Sequence, residues 1–206
     1  MRSQARFPGV GREPGHYESF YIKATRPTGG QGIRLRQTVH KRSGEEPRGA
    51  IWLTLFDADA PGPRAAKAGF AAAELSAPRG AYIQVNGALL EPGHAAGRLA
   101  TAQLEASWEL SFDDASEPFH HLPFERPYGA PLPRTKLLSP YPSARFDGTL
   151  MVGEEQLDLA GWPGMIGHNW GTRARRTLGL DPGGRAGRAG GAATWTSPPP
   201  GSRWAP

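Results

Sequence analysis

The sequence predicts an all-β domain, an antiparallel barrel or sandwich, and three observations carry that prediction. Apolar and polar residues alternate with period two through most of the first 172 residues, as in strands with one buried face. No segment sustains the period-3.6 apolar stripe of an amphipathic helix. Turn signals rich in Gly, Pro, Asn and Asp recur at spacings of roughly 8–15 residues, enough for about seven to nine short strands.

Tyr17–Lys23 reads as the first strand, ended by Gly29-Gly-Gln-Gly32. That glycine cluster is a hairpin turn and not a phosphate loop, because no Lys-Ser/Thr or helix start follows it. Ile33, Leu35, Gln37 and Val39 interleave with Arg34, Arg36, Thr38 and His40 in a half-buried strand. Arg34, Arg36, Lys41 and Arg42 form a basic stripe that, with Glu45 and Glu46 close by, reads as a solvated face. Ile51–Phe56 is apolar on both faces, which predicts a more deeply buried strand. Arg64–Leu75 is Ala-rich and is the best helix candidate, although Gly69 interrupts it.

Tyr82–Val85 runs into Asn86-Gly87, a strong hairpin signal. Trp108, Leu110 and Phe112 alternate with Glu109, Ser111 and Asp113. Pro118–Pro142 contains seven prolines and predicts a long, stiff excursion over the surface. Arg145–Val152 and Glu155–Leu159 then pair about Gly153-Glu154.

The composition narrows the function classes. The whole chain has 24 basic and 19 acidic side chains, but residues 173–206 hold six arginines and one acid, Asp181. Residues 1–172 therefore carry 18 of each sign, and the surplus of +5 belongs to the last stretch. A nucleic-acid-binding face would need that charge on the folded part, so no nucleic acid partner is expected. Without cysteine there are no disulfides, thiolate metal sites or cysteine nucleophiles. No apolar run approaches the ~20 residues of a membrane helix, and Met1–Glu13 lacks the apolar core of a secretory signal. A cytoplasmic protein is expected, with residues 1–14 flexible and the β domain spanning 15–172.

Gly161-Trp-Pro-Gly-Met-Ile-Gly-His-Asn-Trp-Gly171 is the densest feature of the chain. Four glycines around two tryptophans and a histidine argue against a core strand and for a tight bend that aims side chains. Beyond it the composition turns to Arg, Gly and Pro, with too few large apolar residues to offset chain entropy. Residues 173–206 are thus expected to form a disordered tail. One permitted set of codons for Arg173–Pro182, read one nucleotide later, encodes Glu-His-Ala-Glu-Arg-Trp-Ala-Trp-Ile, an aromatic alternating strand. A natural Arg/Gly tail and an out-of-frame reading are the two accounts, and the gene's nucleotide sequence decides between them.

Gly167-His-Asn-Trp-Gly171, preceded by Trp162 and Met165, resembles the carotenoid 1,2-hydratase (hydroxyneurosporene synthase-like) superfamily. Pro133-Arg-Thr-Lys136, Ser139-Pro-Tyr-Pro142 and the Tyr17–Lys23 strand are similar to the same group. The resemblance covers about residues 15–172. It implies the first of two tandem lipocalin-like barrels, incomplete, and the family motif continues with Glu-His-Ala, as the shifted frame does. It also implies functional roles for His168 and Trp170, whereas the family's further tyrosine and aspartate would fall in the region of the tail.

Hydrating an isoprenoid double bond requires a strong acid, a dry apolar pocket and stabilisation of a carbocation. An indole face supplies about 2 kcal/mol of the last when desolvated, a part that suits Trp170. His168 would relay a proton or position water, with Trp162, Asn169 and Trp52 as ligand contacts. No cofactor or metal is required. In the competing account His168 and Asn169 satisfy backbone groups at a bend while Trp162 and Trp170 pack the barrel end.

Other constellations are weaker. His120-His121 beside Glu117 and Glu125 suggests a metal, but adjacent side chains diverge in extended chain. Asp57, Asp59, Asp113 and Asp114 read as turn formers rather than an acid–base pair. Three function classes follow: a lyase of the hydratase type, a carrier of a lipid or isoprenoid, or a truncated, frame-shifted product without activity.

Overall fold

The computed structural model describes residues 3–124, 126–130 and 132–172, so the Arg/Gly/Pro stretch lies outside the described residues. Among the described residues, thirteen strands form one antiparallel sheet that curls into a nearly closed barrel. In chain order they are β1 (His16–Thr25), β2 (Gln31–Lys41), β3 (Arg48–Asp57), β4 (Arg64–Phe70), β5 (Leu75–Ser76), β6 (Ile83–Val85) and β7 (Ala88–Glu91). There follow β8 (His94–Ala100), β9 (Glu105–Asp113), β10 (Phe119–His120), β11 (Thr135–Val152), β12 (Glu155–Asp158) and β13 (Trp162–Gly171). The order around the wall is β4-β3-β2-β1-β13-β11-β9-β8-β7-β6-β5, with β10 and β12 pairing β11. One seam, between β4 and β5, is not sealed by a ladder.

Alternation decides which side chains enter the barrel. β9 is strictly alternating, with Ala106, Trp108, Leu110 and Phe112 buried and their neighbours exposed. From β1 come Phe20, Ile22 and Ala24, from β2 Ile33, Leu35 and Val39, and from β3 Ile51, Leu53 and Leu55. Each of these buried Phe, Ile, Leu and Val side chains is worth about 1.5–3 kcal/mol. The Asn86-Gly87 turn joins β6 to β7, with φ of 46° and 78°, the left-handed pair a two-residue hairpin demands.

Several expectations are overturned. Arg64–Leu75 is not helical: Arg64–Phe70 is edge strand β4, registered from Leu55 to Gly49 of β3, and only Ala72–Glu74 forms a 3-10 turn. Pairing to a neighbour overrides the helical preference of alanine. β3 is half-buried and not buried on both sides, since Phe56 is 46% exposed. The proline-rich stretch is not wholly an excursion. It holds β10, a short helix α1 (Arg126–Gly129) and the first half of β11. β11 passes Pro140 and Pro142 through two register shifts, between Leu138 and Tyr141 and between Tyr141 and Ala144, as expected where proline removes a ladder donor.

The glycine-rich block is also corrected. It is a central strand, β13, paired with β1 from Gly164 to Gly171 and also with β11. Residues 3–14 lie against the barrel wall. Phe7 in the 3-10 turn Phe7–Gly9 belongs to the main core. The basic stripe is not simply solvated: Lys41 is buried, and its Nζ donates to the carbonyls of Gly11, Arg12 and Pro14. Arg36 donates to the hydroxyls of Ser19 and Tyr17.

Candidate functional site

One end of the barrel gathers polar groups on its inner face. Glu18 of β1 stands beside Trp170 of β13, and Phe20 beside His168. The pairing places all four on the core face, because partners in register point to the same side of a sheet. Glu18 and His168 are both 0% exposed, and His168 Nε2 lies 2.7 Å from Glu18 Oε1.

The segment ahead of β1 completes the surroundings of this pair. Backbone N–H groups donate to the Glu18 carboxylate from Arg6, at 2.9 Å to both oxygens, and from Phe7, at 2.8 Å to Oε2. His16 Nε2 approaches Oε2 at 3.3 Å. Burial alone would raise the Glu18 carboxyl. The hydrogen bonds from His16, His168 and Arg6 outweigh burial and lower it from 4.5 to about 2.

Burial lowers His168 below its ordinary range despite its acidic neighbour, which favours the neutral imidazole. A carboxylate only accepts, which places the imidazole proton on Nε2. Nδ1 then accepts from the Ser3 hydroxyl at 3.2 Å.

Aromatic rings stack around the histidine. His168 lies 3.8 Å from Phe20 and 4.4 Å from Trp170 between ring centroids, and Phe20 stacks on Tyr82 at 5.7 Å. Trp170 continues the column to Tyr128 of α1 at 5.7 Å. The Arg6 guanidinium sits over the Trp170 ring at 5.0 Å. Tyr128 is fixed by accepting from Leu122 N–H and donating to the Leu137 carbonyl. A cavity in the barrel beyond, beside Phe20, Leu35, Gln37 and Leu90, holds about 10 Å³.

The structure therefore brings His168 and Trp170 together and separates the other expected contacts. Trp162 is buried at the opposite end of β13, opposite Phe146. Asn169 points to the outer face beside Ser19 and Leu137, where its Oδ1 is buried without a partner. Trp52 also lies on the outer wall, its Nε1 donating to Thr38 and its ring under Lys67 Nζ at 4.2 Å. Glu18, Ser3, Arg6 and Tyr128 escape a reading of the sequence. The one available signal was parity, since Glu18 shares the apolar face of β1 with Phe20 and Ile22.

The weaker constellations resolve into local structure. His121 Nε2 bonds the Ser139 hydroxyl, and His120 packs edge-on against Tyr128. Glu125 is outside the described residues, and no cluster of three or more potential metal ligands occurs among the described ones. Asp57 caps the N–H of Asp59, and Asp114 accepts from Ser116 and Ser143.

No family model matches. Two uncharacterized proteins of Mycobacterium tuberculosis, from strains CDC 1551 / Oshkosh and ATCC 25618 / H37Rv, are each 29% identical over 161 residues. The match covers 76% of this chain but 46% of theirs, so the chain spans about half the length of these curated relatives. The solved structure of a Nitrosomonas europaea protein provisionally named AttH superposes with a TM-score of 0.54 at 13% identity, over 87% of this chain and 58% of that one. That likeness establishes a shared β-barrel fold. No described helix is long and apolar enough to cross a membrane.

Proposed function

We propose that this barrel binds an apolar molecule, an isoprenoid or lipid, at the end lined by His168, Trp170 and Phe20, and carries it without transforming it. The observation that supports this reading is the state of the buried pair. Glu18 is ionised and saturated with donors, and His168 is a neutral donor to it. Protonating an alkene needs an acid whose proton is readily lost, and an ionised, donor-saturated carboxylate offers none. Oriented rings and a fixed polar group suit recognition.

The hydratase-type reading keeps one observation in its favour: His168 Nδ1 accepts a hydroxyl, where an attacking water would sit. Farnesol separates the two. Saturable quenching of tryptophan fluorescence without a hydrated product in the mass spectrum is the expected result. Hydrated farnesol would replace the carrier by the lyase, and no quenching at all would remove both.

A further inference from the structure

We propose that the segment 3–14 is an exchangeable occupant of the barrel mouth, and that the molecule displacing it is amphipathic, an apolar chain ending in an N–H-bearing cation. This rests on the ligand reading above and adds to it a headgroup and a gate. The segment joins no strand of the sheet. Side chains of the wall hold it instead, by grasping its backbone: Glu18 takes the N–H groups of Arg6 and Phe7, Lys41 the carbonyls of Gly11, Arg12 and Pro14, and Ser43 that of Glu13. Its own side chains contribute three ligand-like contacts. The Phe7 ring enters the core, the Arg6 guanidinium covers Trp170, and the Ser3 hydroxyl meets His168. Arg6 Nε is buried with no hydrogen-bond partner, so that nitrogen is held against the ring and not by an acceptor.

What the segment supplies defines what must replace it. Once it withdraws, the Glu18 carboxylate keeps the two histidines but loses its backbone donors while still flanked by the barrel wall. A buried anion that loses its backbone donors is disfavoured. A neutral chain such as an alcohol restores little. A guanidinium or primary ammonium restores both the N–H donors at Glu18 and the cation on the Trp170 face, and its alkyl chain takes the place of Phe7. A quaternary ammonium restores only the cation.

Titration calorimetry on the full chain with dodecylguanidinium, dodecyltrimethylammonium and dodecanol, each below its micelle concentration, tests this. Dodecylguanidinium is expected to bind about tenfold more tightly than dodecanol, with the quaternary ammonium between them, and to gain about a further tenfold on Arg6→Ala, which weakens the competitor in cis. Hydrogen exchange on the unaltered protein supplies the second readout. Saturating dodecylguanidinium should accelerate the Arg6 and Phe7 amides while leaving those of β1 and β2 unchanged. Equal binding of all three probes would overturn the headgroup while leaving the ligand reading intact. Arg6 and Phe7 amides that open only together with β1 would overturn the gate. If neither farnesol nor dodecylguanidinium binds, the ligand reading itself falls.

Discussion

Glu18→Gln is expected to lower the unfolding free energy at neutral pH by roughly 3 kcal/mol, measured by urea denaturation. The carboxylate is fully buried and collects donors from Arg6 N, Phe7 N, His16 and His168. An amide keeps one acceptor oxygen, and set at the Oε2 position that oxygen still accepts from Arg6 and Phe7. Its NH₂ then abuts the Arg6 N–H and the Nε2–H of His168, donor against donor in a dry site. A loss below about 1 kcal/mol would mean that water reaches the carboxylate and that the mouth is not sealed by residues 3–14.

The same substitution isolates a pH dependence. Glu18 is lowered in the folded chain, from 4.5 to about 2. Its contribution is therefore complete above about 4.5 and disappears as pH falls through the folded value near 2. The part lost over that window is on the order of 3 kcal/mol. His168 acts in the same sense at higher pH. Burial lowers it from 6.5, so the unfolded chain takes up a proton below that value that the native chain refuses, and stability declines on acidification. The difference between wild type and Glu18→Gln cancels the carboxylates common to both, including Asp57 and Asp114, which are also lowered. That difference should shrink as pH falls from about 4.5 toward 2.

Much of the barrel is legible in the sequence because one buried face writes a period of two. β2 and β9 declare themselves by alternation, and Asn86-Gly87 fixes a hairpin by its backbone demands. What escapes is set by the neighbour and not by the strand itself. β4 reads as helical because alanine favours helix locally, yet β3 presents an edge that it must cover. The first half of β11 hides behind Pro140 and Pro142, which a strand accepts only at its register shifts. At the site, His168 and Trp170 stand out through their rare surroundings, but Glu18 is 150 residues away in sequence. Its importance comes from the β1–β13 pairing, which local spacing does not encode.

Gly164 and Gly167 of β13 make a second, sharper test, because they are there for close approach and not for bending. Gly164→Ala is expected to cost about 3 kcal/mol or more, enough to depress expression of folded protein and move the urea midpoint sharply. A Cβ at Gly164 would lie 2.1 Å from the Lys23 carbonyl oxygen and 2.9 Å from Ala24 Cα, both backbone, and 2.8 Å from the Phe146 ring. Backbone on the β1 side and a buried ring on the other leave the methyl no direction in which to relax. For Gly167→Ala the three nearest atoms all belong to the far end of the Tyr21 side chain, the closest 2.2 Å away. That ring lies on the outer wall between Lys23 and Arg34, so it can swing outward at a cost nearer 1–2 kcal/mol. The order of the two variants is the discriminating result. If Gly167→Ala proved the more damaging, β13 would not be clamped against β1 at Gly164, and the register that brings His168 to Glu18 and Phe20 would be wrong by the same measure, since a slip of one residue turns every inward side chain of the strand outward.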